Sequence, residues 1–186
     1  MDKKKTVAEI FKVAIILFVI TAVAAAILAA VNKVTAPIIA ENNRVAQELA
    51  MKAVLPDATA FEKVEYIRSE DSSVIEIYSS DAGYAVKAEP KGYGGAISMI
   101  VGVDNELKVT GVEIISQSET AGLGAKCTED GFKAQFIGKT ENVAVTKNGA
   151  KDNEIDAITS ATITSKAVTK GVNEAIGVAK EVREGE

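Results

Sequence analysis

The chain has no histidine, no tryptophan and a single cysteine, Cys127, in 186 residues. The missing histidine excludes a Ser-His-Asp triad, an HExxH zinc site and histidine-ligated haem. One cysteine excludes an intramolecular disulfide and a cysteine-ligated zinc or iron–sulfur centre built by this chain alone. Cys127 therefore reads as an isolated thiol. Proline is scarce, with 3 residues, while 47% of the chain is hydrophobic and 25% charged. That composition rules out a disordered or collagen-like chain. The net charge of −5 offers no basic footprint, so nucleic acid is not an expected partner. Acidic residues show no calcium-loop spacing, and no GxGxxG follows a strand pattern.

What the chain does have is a hydrophobic run near its start. Val13 to Val31 contains one polar residue, Thr21. A helix of this length spans roughly 30 Å, the thickness of a bilayer's hydrocarbon core. A helix apolar on every face has no use on a small soluble domain. A cleaved signal peptide carries a shorter apolar core of about 7–15 residues and a small-residue cleavage site. This run is longer and leads to Pro37, so it reads as an uncleaved anchor. Lys3, Lys4, Lys5 and Lys12 precede it, and only Lys33 follows closely. Positive residues favour the cytoplasmic side. The expected layout is a cytoplasmic segment at 1–12, a single span at 13–31, a membrane-proximal helix and connector at 32–73, and an extracytoplasmic domain at 74–186.

Beyond the span, Ile38, Val45, Leu49 and Ala53 recur at helical spacing, which predicts a separate helix over 36–53 with Pro37 in its first turn. Pro56-Asp57 is a stop, and 58–73 carries little information. Alternating patterns from Val74 predict strands, with Asp104-Asn105-Glu106 as a hairpin loop between two of them. A further strand is predicted at 142–145. Val168, Val172, Ala175, Ile176 and Ala179 define an amphipathic helix over 165–182, capped by Thr164 or Ser165 and weakened by Gly171 and Gly177. Glu181, Arg183, Glu184 and Glu186 read as a solvated tail. The expected class is α+β, one antiparallel sheet with flanking helices behind one membrane helix.

Three stretches could carry chemistry. In Asp156–Ser165, five of ten residues bear hydroxyls, just before the predicted helix. Hydroxyls and free N–H groups at a helix start favour a phosphate, but they serve equally as a strand end and an N-cap. In Glu119-Thr120-Ala121-Gly122-Leu123-Gly124, glycines bracket a leucine after a strand, which suits either close ligand approach or an ordinary loop. Gly92-Tyr93-Gly94-Gly95 places a tyrosine in a glycine turn.

Together, in this order behind one span, these stretches resemble the flavin-binding domain shared by the G subunit of Rnf-type electron transport complexes and the C subunit of sodium-translocating NADH:quinone reductase. The family's hallmark is a Ser/Thr-Gly-Ala-Thr element whose last threonine carries FMN through a phosphoester. Here it is Thr159-Ser160-Ala161-Thr162, with Ser160 at the glycine position and Asp156 at an upstream acidic position. The resemblance implies Thr162 as the attachment residue. Ser160, Ala161, Thr164 and Ser165 lie around it, and the Ser160 and Thr164 hydroxyls are expected to donate to the phosphate. The second element is similar to Glu-Thr-Pro-Gly-Leu-Gly, with Ala121 for proline. It implies flavin contacts from Glu119, Thr120, Gly122, Leu123 and Gly124, with Leu123 and Tyr93 packing the ring. The implied role is an electron relay in the cytoplasmic membrane, with the other Rnf subunits as partners and a flavin transferase that uses FAD and a divalent metal. Rnf complexes couple ferredoxin oxidation and NAD reduction to Na⁺ or H⁺ movement. One span without intramembrane charge is not expected to form the ion path. The alternatives are the quinone reductase C subunit and a membrane-tethered ligand-binding domain without redox chemistry.

Overall fold

The structure, a computed structural model, describes residues 3–67, 69 and 71–185, with side chains from residue 9 onward. Glu186, read above as part of the tail, lies outside the described residues. Two compact units divide at Val45/Ala46.

The division falls inside one helix, α1 (Lys3–Val54), which runs through Pro37 without a break. This corrects the expectation of a second helix starting at Ala36. A proline inside a helix removes one hydrogen bond and bends the helix, but it does not end one whose flanks are otherwise sound, and membrane helices tolerate it. In the first unit the apolar side chains are bare: Phe18 is 71% and Leu28 69% exposed. None of the apolar stretch is buried among the described residues.

The second unit begins with the last turns of α1, which lie on a five-stranded antiparallel sheet. Its strands are β1 (Glu62–Val64), β2 (Val74–Ser80), β3 (Gly83–Ala88), β4 (Ser98–Asp104) and β5 (Val109–Ser116), paired in chain order. β1 falls in the stretch that gave no signal. The β4–β5 hairpin turns where expected. Asp104 Oδ1 accepts the N–H groups of Glu106 and Lys108 at 2.8 and 2.9 Å, which fixes the turn by side-chain mimicry.

Both faces of β3 and β4 are covered. On one face Ala85 and Ile100 meet Ala50, Met51, Val54 and Leu55. The Thr110 hydroxyl donates to the Val54 carbonyl at 2.6 Å and ends α1 against the sheet. A Cβ on Gly102 would lie 2.7 Å from that same carbonyl, so only glycine allows this approach. On the other face Val86, Met99, Val101 and Val103 pack under α3 (Thr162–Gly185). All five predicted apolar positions of α3 are essentially unexposed. Each fully buried Val or Ile adds about 1.5–3 kcal/mol, enough to carry the helix through Gly171 and Gly177. In the tail, Arg183 donates to the Asn105 carbonyl at 3.0 Å.

Between β5 and α3 the chain forms a 3-10 turn (Gly124–Thr128) and a short helix α2 (Asp130–Lys133). A two-stranded parallel pair follows, β6 (Ala144–Thr146) with β7 (Glu154–Asp156). The predicted strand at 142–145 is β6, shifted by a residue or two. β7 gave no signal, because three residues of Glu-Ile-Asp offer no alternation to read. β7 leads directly into the head of α3.

Candidate functional site

The hydroxyl-rich stretch forms a turn and then the first turn of α3. The Ala161 N–H donates to the Ile158 carbonyl at 2.9 Å. Ser160 sits inside that turn with φ +64°, the left-handed region where glycine is at ease. Ser165, fully buried, ties turn to helix: its hydroxyl accepts the Ile158 N–H at 2.9 Å and donates to the Ala161 carbonyl at 3.0 Å. The helix thus starts at Thr162, before both residues expected to cap it, and neither is a cap. Threonine and isoleucine are mediocre helix formers, so the sequence hides this first turn, and tertiary hydrogen bonds impose it. The N–H groups of Thr162, Ile163 and Thr164 have no intrahelical acceptor, as at any helix start.

Glu119 gathers three loops. The residue is 8% exposed. Oε1 accepts the Gly94 N–H at 2.7 Å, and Oε2 accepts the hydroxyl of Thr164. One side chain therefore joins the Gly-Tyr-Gly-Gly turn, the loop after β5 and the head of α3. Gly124 closes against this bond: a Cβ there would lie 2.6 Å from both Glu119 Oε2 and Thr164 Oγ1. Thr164, expected to donate to a phosphate, is spent on Glu119 instead.

Around this junction lies a cavity of about 490 Å³ lined by Tyr93, Glu119, Thr120, Leu123, Gly124, Ser160, Ala161, Thr162, Ile163 and Thr164. Its volume falls within the usual small-molecule range of roughly 300–1,000 Å³. Nine of the eleven residues singled out in the sequence meet here. Gly122 and Ser165 do not line the cavity; the first is exposed on its loop and the second lies beneath the turn. Ile163 was missed, and a helix start placed at Thr162 would have found it. Tyr93, Leu123 and Ile163 are all exposed apolar residues on the rim.

A second cavity, about 430 Å³, is lined by Lys147, Ala157, Ile158, Thr159, Ser160 and Thr162. Lys147 carried no signal in the sequence. Thr162 and Ser160 belong to both cavities. Among the described residues the Thr162 hydroxyl has no hydrogen-bond partner, whereas those of Thr164, Ser165 and Thr169 are all engaged. Asp156 is exposed and accepts the Gly149 N–H at 3.1 Å. Cys127 is buried behind the site, and burial, with the negative charge of Glu119 adding to it, pushes its thiol pKa up. A thiol so protonated and enclosed is a packing group.

The FMN-binding domain family matches residues 92–177, and the RnfG N-terminal region matches residues 1–54. The chain is 43% identical over 189 residues to the G subunit of the Na⁺-translocating ferredoxin:NAD⁺ oxidoreductase complex of Acetobacterium woodii, covering 91% of each chain. It is 38% identical over 177 residues to the G subunit of the proton-translocating ferredoxin:NAD⁺ oxidoreductase complex of Clostridium ljungdahlii, covering 95% of each. The crystal structure of the C subunit of Na⁺-translocating NADH-quinone reductase from Parabacteroides distasonis is similar at TM-score 0.58. With 19% identity over 76% of this chain and 91% of that one, it is a likeness of fold alone.

Proposed function

This chain belongs to the family of G subunits of ion-translocating ferredoxin:NAD⁺ oxidoreductase complexes, with an FMN-binding domain, and on that premise we propose that it carries FMN esterified to Thr162 and passes electrons within such a membrane complex. The quinone reductase reading is the weaker one. Relatives across the whole chain are named G subunits, while the quinone reductase protein shares only the fold.

One observation carries the attachment: Thr162 opens α3 with its hydroxyl free and facing both cavities, while those of Thr164 and Ser165 in the same turn of helix are engaged. Thr159 and Ser160, whose hydroxyls are also free among the described residues, lie before the helix starts. The donor set fits a phosphate ester. Free N–H groups of Thr162, Ile163 and Thr164 sit at the positive end of a 24-residue helix, where an anion is stabilised. FMN, when bound, accepts and delivers electrons singly or in pairs. The chain's own residues hold and shield it. Leu123, Ile163 and Tyr93 offer apolar surface to the ring. Glu119 fixes the loops that bear them, and Thr162 prevents loss of the cofactor. That last point matters outside the cytoplasm, where free FMN is scarce and a tether keeps the local concentration constant.

Loading requires a flavin transferase with FAD and a divalent metal. The bond from Thr162 Oγ1 to the FMN phosphorus forms, the pyrophosphate bond to AMP breaks, AMP leaves, and the hydroxyl proton passes to a base of the transferase. The bare helix of the first unit anchors the protein as a single span in the cytoplasmic membrane. The lysine-rich N-terminus lies inside and the flavin domain outside. The test is intact mass after co-expression with a transferase. Wild type gains one FMN and fluoresces in a denaturing gel under ultraviolet light, and Thr162→Ala does neither. A flavin that washes off wild type on denaturation defeats the covalent reading.

A further inference from the structure

A phosphodiester keeps one negative charge, and this site already encloses the Glu119 carboxylate in a chain of net charge −5. The helix head offers only about half a unit of positive charge. A cation beside the ester adds to what the helix head supplies, and the cavity beside Glu119 has none in its lining. The second cavity at Thr162 has one, Lys147.

Lys147 is exposed and, among the described residues, makes no ion pair or hydrogen bond. Lys63, Lys108, Lys133, Lys170 and Lys180 each face a carboxylate within 3.5 Å. Nor is Lys147 on a loose loop. The Thr146 carbonyl accepts the Ala157 N–H at 2.8 Å, Thr146 Oγ1 accepts the Asn148 N–H at 3.3 Å, and Asp156 Oδ1 accepts the Gly149 N–H at 3.1 Å. The first and third bonds fasten residues 146–149 to the segment that runs into the turn before Thr162, and the second tightens the loop itself.

We propose that the two cavities divide the cofactor: the flavin ring takes the one beside Glu119 and Leu123, and Lys147 grips the Thr162 phosphate from the other. Asp156 is then a positioning residue, which holds the loop that carries the cation. This is a physical reason for an acidic residue six positions before the attachment point. The assignment rests on Thr162 bearing the phosphate. Charge-assisted contacts to phosphate oxygens are the strong class of hydrogen bond, and an exposed one is weakened by salt.

The experiment uses the full-length chain in detergent with a flavin transferase, FAD and Mg²⁺, followed by intact mass against time. Lys147→Met loads FMN roughly fivefold more slowly, the size an exposed charge pair supports. Lys147→Arg stays near wild type, and high salt narrows the gap between wild type and Lys147→Met. The unloaded Lys147→Met chain unfolds as wild type does, since Lys147 has no partner to lose. In the loaded proteins the ³¹P resonance of the ester moves between wild type and Lys147→Met, which separates contact with the phosphate from contact with the transferase. Wild-type loading by Lys147→Met, an Arg variant as slow as Met, a lowered unfolding midpoint or an unmoved ³¹P resonance each overturns the assignment. If wild type itself gains no FMN, the attachment reading beneath it fails first.

Discussion

At the scale of single residues, Ser160 occupies a backbone conformation at φ +64° that costs an L-residue roughly 1–2 kcal/mol. Glycine removes that cost but gives back part of it through a more flexible unfolded chain. Ser160→Gly is expected to raise stability by about 0.5–1 kcal/mol in chemical denaturation and to leave FMN loading at Thr162 intact. Glu119 behaves in the opposite way. Glutamine keeps one acceptor for Gly94 and can donate to a rotated Thr164 hydroxyl, so Glu119→Gln costs about 1 kcal/mol. Glu119→Ala leaves the buried Thr164 hydroxyl and the Gly94 N–H without their partner and opens a void, which costs about 2–4 kcal/mol. Loading of FMN should fall in the alanine variant and survive in the glutamine variant. Equal loss in both would mean that the charge of Glu119, rather than its bonding, shapes the site.

At the scale of elements, the end of α1 meets the sheet through a polar cluster beside an apolar one. Gln47 donates to Glu76 and Tyr78, Tyr78 donates to Glu76, and Lys63 of β1 donates to Glu76 at 2.5 Å. Burial alone would raise the Glu76 pKa. The hydrogen bonds from Lys63, Tyr78 and Gln47 and the Lys63 charge outweigh it and lower the carboxyl to about 2. A carboxylate depressed on folding stabilises the fold above its unfolded value of 4.5, and that contribution is lost as pH falls toward 2. The limit set by linkage is about 3 kcal/mol, cut to about 1–2 by solvent around the half-exposed Lys63. Denaturation midpoints between pH 6 and about 3 should therefore fall less steeply in Glu76→Gln than in wild type. None of this cluster was legible in the sequence, because Gln47, Lys63 and Glu76 have ordinary local contexts and meet only through strand pairing. β1 and β7 were illegible for a related reason: three-residue strands exist by their partners and not by their own pattern. The apolar stripe of α3 was legible, since helical periodicity is local. Its first turn was not, since Thr164 is held by Glu119, 45 residues away, and Ser165 by Ile158 across a turn that has no periodicity to read.

At the scale of the whole molecule, the long apolar helix, the sheet domain and most residues of one cavity were legible in the sequence, because a hydrophobic run and three short elements are each local signals. The sequence did not show Lys147, which reaches the site only because β6 pairs with β7 beside the head of α3. The proposed side of the membrane rests on charge alone: four lysines before the apolar run against Lys33 just after it. Cys127 provides the means to test it. It is the only cysteine and is wholly buried, so the folded wild type should resist a membrane-impermeant maleimide. Lys151 lies exposed on the loop between β6 and β7, and Lys151→Cys introduces one reactive thiol on the flavin domain. In intact cells, or in spheroplasts where an outer membrane intervenes, Lys151→Cys should be labelled from outside and wild type should not. After denaturation both should be labelled, Lys151→Cys twice and wild type once. Labelling of Lys151→Cys only after lysis would put the domain in the cytoplasm, reverse the charge reading, and remove the reason given for tethering the cofactor covalently.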